Sequence, residues 1–315
     1  MLDVTALGEL LVDFAPVEAG GDTDPVLAAR SGGAPGNYLA ALSKYGARTA
    51  LLAKVGEDAF GARLVDTLAA AGVETRGILR DPDVFTTLAF VTLREGERTF
   101  SFARKPGADT RLRFEELDLS LIDQARCFHF GSLSLTDEPA GSATRQAVDY
   151  AKEKGKCITF DPNYRPPLWP SPARARAEIT WGLEQADVIK ISEEELSFLW
   201  DCGPEAGARR LLEEFGASLV MVTLGPKGCY LKSGQGACLV PAPRVRPVDT
   251  TGAGDIFFGA AMSRLLPLTT PFRSLDSDQL EEAARFAVTA ASLSTQRPGG
   301  IPSIPSEEEV RALLG

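Results

Sequence analysis

Apolar residues gather along the chain in short runs, and longer stretches of helical spacing separate them. The runs Val4–Asp13, Thr49–Val55, Cys127–Phe130, Cys157–Phe160, Val188–Ile191 and Leu219–Thr223 predict buried strands, the last four about thirty residues apart. An Ala/Leu-rich helix is expected after the segment SGGAPGN and ends at Gly46. Further helices are expected from about Phe60 to Ala71, at Ala140–Lys154 and at Glu193–Trp200. Strands alternating with helices fold through crossover units. The expected fold is therefore α/β: a doubly wound, mostly parallel sheet with helices on both faces.

Two segments break the rhythm. Residues 15–30 are irregular and rich in Gly, Pro and Asp. Thr86–Leu93 and Arg98–Arg104 flank REGE, which reads as a hairpin. Two extended insertions can pair into a small sheet that closes over a site at the carboxyl ends of the main strands. The expected organisation is a core of residues 1–14, 33–85 and 105–315 with a β lid of 15–32 and 86–104. The lid's strand edges need covering, so a lid-to-lid homodimer is one expectation.

Composition narrows the class. The 315 residues carry a formal net charge of −10, which disfavours non-specific nucleic-acid binding. The five cysteines form no C-x-x-C pair, and the single histidine, His129, cannot anchor a multi-histidine metal site. The N-terminus lacks a basic signal region, and no apolar run reaches the length of a membrane span. A reduced, cytoplasmic protein is expected.

The chemistry concentrates in DTTGAGDIFFGA, Asp249 to Ala260. Glycines at 252 and 254 permit a sharp turn that exposes N–H groups, and the apolar run from Ile256 reads as a buried helix. The first amides of a helix lack internal partners and carry the positive end of its dipole, so this is an anion site built from backbone. With Asp255 beside it, the arrangement suits phosphoryl transfer: amides stabilise the moving phosphoryl group and the carboxylate accepts a hydroxyl proton. The helix terminus is expected to keep Asp255 ionised and weakly basic at rest. Taken alone, the stretch also reads as a capped tight turn. It is neither a Walker A loop nor G-x-G-x-x-G, which disfavours a Rossmann oxidoreductase.

DTTGAGDIFFGA resembles the C-terminal signature of the ribokinase-like (PfkB) family of sugar and nucleoside kinases, and SGGAPGNYLAALSKYG (31–46) resembles its N-terminal signature. GELLVDF, VGEDAFG, GERTFSFARKPGAD, HFGSLSL, DPNYRPPLW, KISEEELSFL and VTLGPKG look specifically like fructokinases. The resemblance implies Asp255 as base, Gly252, Ala253 and Gly254 as anion hole, and Arg165 assisting the phosphoryl group. It implies sugar contacts from Asp13, Gly32, Gly33 and Asn37, with Phe100, Phe102 and Arg104 covering the sugar from the lid. Ser192, Thr223, Gly225, Gly228 and Gly254 would meet ATP, and Lys227 is a further phosphate candidate. Val288 stands where many relatives carry an adenine-side asparagine. Glu195 would organise Mg²⁺ through water. Asp249, Thr251, Ser294, Arg297, Gly299 and Ser303 would hold K⁺, mostly through backbone oxygens, although Pro298 and Gly300 depart from common versions of that loop. The implied activity is ATP-dependent phosphorylation of fructose. A 2-keto-3-deoxygluconate kinase, an aminoimidazole riboside kinase and a catalytically inactive sugar-binding regulator are the alternatives.

Overall fold

The computed structural model describes residues 1–17, 26–94 and 97–315, and for 92–94 and 97–100 the backbone alone. The middle of the 15–32 segment, the tip of the REGE hairpin and the Phe100 side chain therefore lie outside the described residues. The strands are β1 (Leu2–Leu7), β2 (Leu11–Pro16), β3 (Leu27–Gly32), β4 (Thr49–Gly56), β5 (Val73–Glu74), β6 (Ile78–Asp81) and β7 (Thr87–Arg94). They continue with β8 (Glu97–Ala103), β9 (Ala125–Gly131), β10 (Cys157–Asp161), β11 (Val188–Ser192), β12 (Leu219–Thr223), β13 (Cys229–Ser233) and β14 (Ala237–Val240).

Among the described residues, ten strands form the main sheet in the order β14-β13-β12-β11-β10-β9-β1-β4-β5, with β6 also on β4. From β12 through β4 neighbouring strands run parallel. Only the β12–β13–β14 edge is antiparallel. Successive side chains on a strand face opposite ways. On β12, Leu219 and Met221 enter one apolar core while Val220 and Val222 enter the other. Helices Ala34–Lys44, Ala253–Leu265 and Ser277–Ser294 cover the first face, and Ala140–Glu153, Pro172–Gln185 and Pro204–Glu213 the second. Burial on both faces explains why these strands read as nearly continuous apolar runs.

The small sheet has the order β3-β2-β7-β8. Here the expected Val4–Asp13 strand needs correction. It is two strands, divided at residues 8–10, and the second leaves the main sheet to pair with β3 and β7. The apolar run hides the break. Its cause is local: Glu9 turns inward and its Oε1 accepts the Ala34 N–H at 3.0 Å, at the start of helix Ala34–Lys44. Asp13 thus belongs to the small sheet rather than to the end of a core strand. The nominally irregular 15–30 stretch contains most of β3, whose Arg30 lies directly across from Asp13.

Candidate active site

Helix Ala253–Leu265 begins after Gly252, which adopts a left-handed φ of 75° and offers no side-chain cap. Ala253 N donates to the Thr250 carbonyl at 3.3 Å, whereas the Gly254 and Asp255 N–H groups have no partner among the described residues and can meet an anion. Asp255 sits in that first turn, buried, and its Oδ2 accepts a 2.9 Å hydrogen bond from Asn37 Nδ2. Asn37 is not the helix cap; Gly33 holds that position, and Asn37 lies one turn in. The Asn37 Oδ1 is buried without a partner among the described residues. A buried acceptor left open in a cavity wall is suited to a ligand hydroxyl.

Two cavities flank this helix start. One, of roughly 380 Å³, is lined by Asp13, Gly33, Asn37, Phe102, Arg165 and Asp255, among others. The other, of roughly 700 Å³, is lined by Thr223, Gly225, Gly228, Gly254, Phe257 and Val288, and by the 242–247 segment. Thr250 lines both, so the Gly252–Asp255 turn is the wall between them. Gly32 is not among the residues lining the smaller cavity. A Cβ there would fall 2.2 Å from Asp13 Oδ2, so glycine makes room for the carboxylate.

The electrostatics revise one expectation. Burial is the largest influence on Asp255 and raises its carboxyl above the ordinary value, against the opposing pull of Lys190, Asn37 and Arg165. Asp255 is therefore a better base at rest than a helix terminus alone would leave it. Burial likewise lifts Asp13 to about 6, opposed first by Arg165, and lifts Glu9 to about 7.

Several expected site residues have other partners. Arg104 does not line the smaller cavity: its guanidinium is buried against Asp109 at 2.7 Å, Thr136 Oγ1 at 2.6 Å, Asp137 at 3.1 Å and the Leu133 carbonyl at 3.1 Å. It ties the end of β8 to the core. Ser192 lies outside the larger cavity's lining and caps helix Glu193–Trp200, its Oγ accepting the Glu195 N–H at 3.1 Å. Lys227 pairs at the surface with Glu193 at 3.0 Å. Glu195 accepts from Tyr164 N at 2.7 Å and Ser192 N at 2.8 Å, which fastens the loop carrying Arg165 to that helix. Arg165 itself is exposed and lines the smaller cavity.

Asp249 joins three segments. One oxygen accepts from Thr251 N and Oγ1 at 3.0 and 2.7 Å, and the other from Gly299 N at 2.9 Å and Arg30 Nη1 at 2.7 Å. Ser303 Oγ donates to the Gly300 carbonyl at 2.7 Å and Ser294 Oγ to the Ala291 carbonyl at 2.7 Å, while the Arg297 side chain pairs with Glu309. Among the described residues, no three His, Cys, Asp or Glu side chains group as a metal cage.

Sequence reasoning passed over Glu9, Arg30, Lys190 and the 242–247 segment, and gave Asp161 no role beyond its company with Asn163 and Arg165. Asp161 and Lys190 stand inside motifs the sequence does present, DPNYR and KISEEEL. Only the parallel pairing of β10 with β11 brings them to 3.0 Å.

Residues 1–307 match the model of the pfkB family carbohydrate kinases. The chain is 42% identical over 317 residues to Fructokinase-1 of Oryza sativa subsp. japonica, covering 99% of this chain and 97% of that protein. It superposes on the crystal structure of fructokinase with bound ATP from Xylella fastidiosa with a TM-score of 0.88 at 31% identity, over 99% of this chain and 98% of the other. A fructokinase from Vibrio cholerae O395, solved with fructose, ADP and calcium, gives 0.87 at 30% identity over 100% and 99%.

Proposed function

The chain belongs to the pfkB family of carbohydrate kinases, and from that premise we propose that it is a fructokinase, transferring the γ-phosphoryl group of MgATP to the 6-hydroxyl of fructose. One observation carries the assignment of parts: buried Asp255 and the open Gly254 and Asp255 amides stand in the wall between two cavities. The smaller, polar cavity takes the sugar and the larger, apolar one takes ATP.

Fructose binds against Asp13 and the open Asn37 Oδ1, with Phe102 over it. Asn37 also holds the Asp255 carboxylate, so one side chain orients both sugar and base. The sugar oxygen attacks the γ-phosphorus as Asp255 takes its proton. The bond to the bridging oxygen breaks, and its electron pair leaves on ADP. The Gly252–Gly254 amides and Arg165 meet the charge that develops on the phosphoryl oxygens. The small sheet covers the sugar side and keeps water from competing as acceptor.

Mg²⁺ arrives on ATP. Such an ion keeps several waters and needs few protein ligands, in keeping with buried Glu195 acting through water and not as part of a cage. A monovalent cation would sit on backbone oxygens of the 249–251 and 294–303 loops, where Asp249 already joins the two. Equal turnover in K⁺ and tetramethylammonium buffers would remove that element.

The test is ADP release with MgATP and K⁺ against fructose, glucose, ribose, 2-keto-3-deoxygluconate, aminoimidazole riboside and no acceptor. Turnover with fructose far above the others is expected. Preference for another sugar would overturn the substrate. Sugar binding without turnover would favour a non-catalytic regulator.

A further inference from the structure

Lys190 lies on β11, at 5% exposure, and lines neither cavity. Its Nζ meets the two Asp161 carboxylate oxygens at 3.1 and 3.0 Å. On its other side is the anion hole: a Cβ built on Gly254 would stand 3.0 Å from Lys190 Nζ and 3.5 Å from Cε. Glycine at 254 therefore does more than allow a turn. It lets a buried ammonium press against the backbone whose amides face the phosphoryl group.

The charges around that ammonium come from every neighbouring element. Asp161 stands at the end of β10, Glu195 in helix Glu193–Trp200 and Asp255 in helix Ala253–Leu265. His129 on β9 is kept neutral, first by burial and then by Lys190 itself, with its pKa lowered to about 3. Arg165, reaching in from the loop after β10, also acts on Asp255. Three carboxylates thus converge on one fully buried cation. Burial works against the Lys190 charge, but Asp161, Glu195 and Asp255 together hold it above its ordinary value. Asp161 pairs with it directly, and Asp255 has no direct ion pair of its own among the described residues. Buried charges such as these are screened much less than charges at the surface.

We propose that Lys190 is a positioning residue for the phosphoryl transfer: its ammonium is the fixed counter-charge that keeps buried Asp255 an anion, ready to take the sugar proton, and it backs the anion hole with positive charge. The proposal rests on the kinase reading of the site, and its test separates the two. Lys190 takes no proton and touches no substrate. It acts through Asp255 and through the Gly252–Gly254 amides.

The experiment titrates the Asp255 carboxyl carbon by NMR in the wild-type chain and in Lys190→Gln and Lys190→Arg, and measures fructose phosphorylation across the same pH range. Glutamine removes the charge yet can still donate to Asp161, so no buried carboxylate is left without a partner. In Lys190→Gln the Asp255 midpoint should rise by about one to three units. Its kcat at pH 7 should fall on the order of a hundredfold. Lys190→Arg should restore the wild-type midpoint. An unmoved midpoint in Lys190→Gln would overturn the proposal whether or not the sugar is phosphorylated, whereas a wild-type chain that phosphorylates no sugar would overturn only the kinase reading. Should Lys190→Gln fail to fold, the wild-type ¹⁵Nζ signal of Lys190 decides. An ammonium persisting through pH 9 upholds the counter-charge, and a neutral amine at pH 7 refutes it.

Discussion

The two cavities meet at one turn of helix and are built on opposite principles. The smaller is lined by charge: Asp13, Arg30, Arg165 and Asp255, with Asn37 offering an unpaired oxygen. The larger is lined mostly by apolar side chains, among them Pro226, Pro243, Val245, Phe257 and Val288, around glycine-rich backbone, with Glu194 and Arg244 also on its wall. A site that hydrogen-bonds a substrate's hydroxyls rejects an analogue that lacks them, because its own polar groups are left unpaired. A site lined by apolar side chains and backbone holds a planar base by shape and discriminates far less. On the proposed function, acceptor specificity would rest on side chains of the small sheet and helix Ala34–Lys44, and donor binding largely on backbone and apolar surface.

The largest expected effect falls on the shared wall. Asp255→Asn should lower kcat by about 10²- to 10⁴-fold and leave sugar binding in place. A near-normal rate would break the division of labour, since the proton would then leave by another route. Next is Asp13→Asn, which should cut kcat/KM for fructose by about tenfold to a hundredfold with KM for ATP unchanged. A parallel loss on the ATP side would mean that the cavities are not separate. Ala291→Phe fills the larger cavity, which Ala291 lines, and should raise KM for ATP about tenfold with fructose unaffected. The smallest effect is in the pH profile. A base and a sugar-binding acid must both be ionised, and Asp13 is raised by burial to about 6. The sign follows: kcat/KM for fructose falls as pH drops, and is about halved near pH 6. Asp13→Asn should remove that part of the acid limb.

The same contrast explains what could be read from the sequence. The core strands were legible because β9, β10, β11 and β12 are buried on both faces and so leave nearly continuous apolar runs, interrupted only by buried polar residues such as His129, Thr159 and Lys190. The turn around Asp255 was legible because its chemistry needs particular residue types at fixed spacing. The division between β1 and β2 was not, because Leu10–Val12 remain apolar while the chain changes sheets. β13 and β14 were missed as well, being short strands of mixed burial at the sheet edge. The wall of the larger cavity at 242–247 carries no recognisable motif, only prolines, alanine, valine and two arginines, Arg244 and Arg246. Arg104 shows the converse. A cation two residues along from Phe102 reads as a sugar contact, yet Asp109, five positions on, takes its guanidinium into the core. Lys190 was invisible for a different reason. Its meaning depends on the space left at Gly254, 64 residues away, a distance that only the fold closes.

The most direct test of the central claim is a crystal structure with fructose and a non-hydrolysable ATP analogue bound together. Fructose is expected in the Asp13–Asn37 cavity with its 6-hydroxyl within hydrogen-bond reach of Asp255. The nucleotide base is expected beside Val288 and the terminal phosphate over the Gly252–Gly254 turn. Fructose in the larger cavity, or an acceptor hydroxyl out of reach of Asp255, would contradict it.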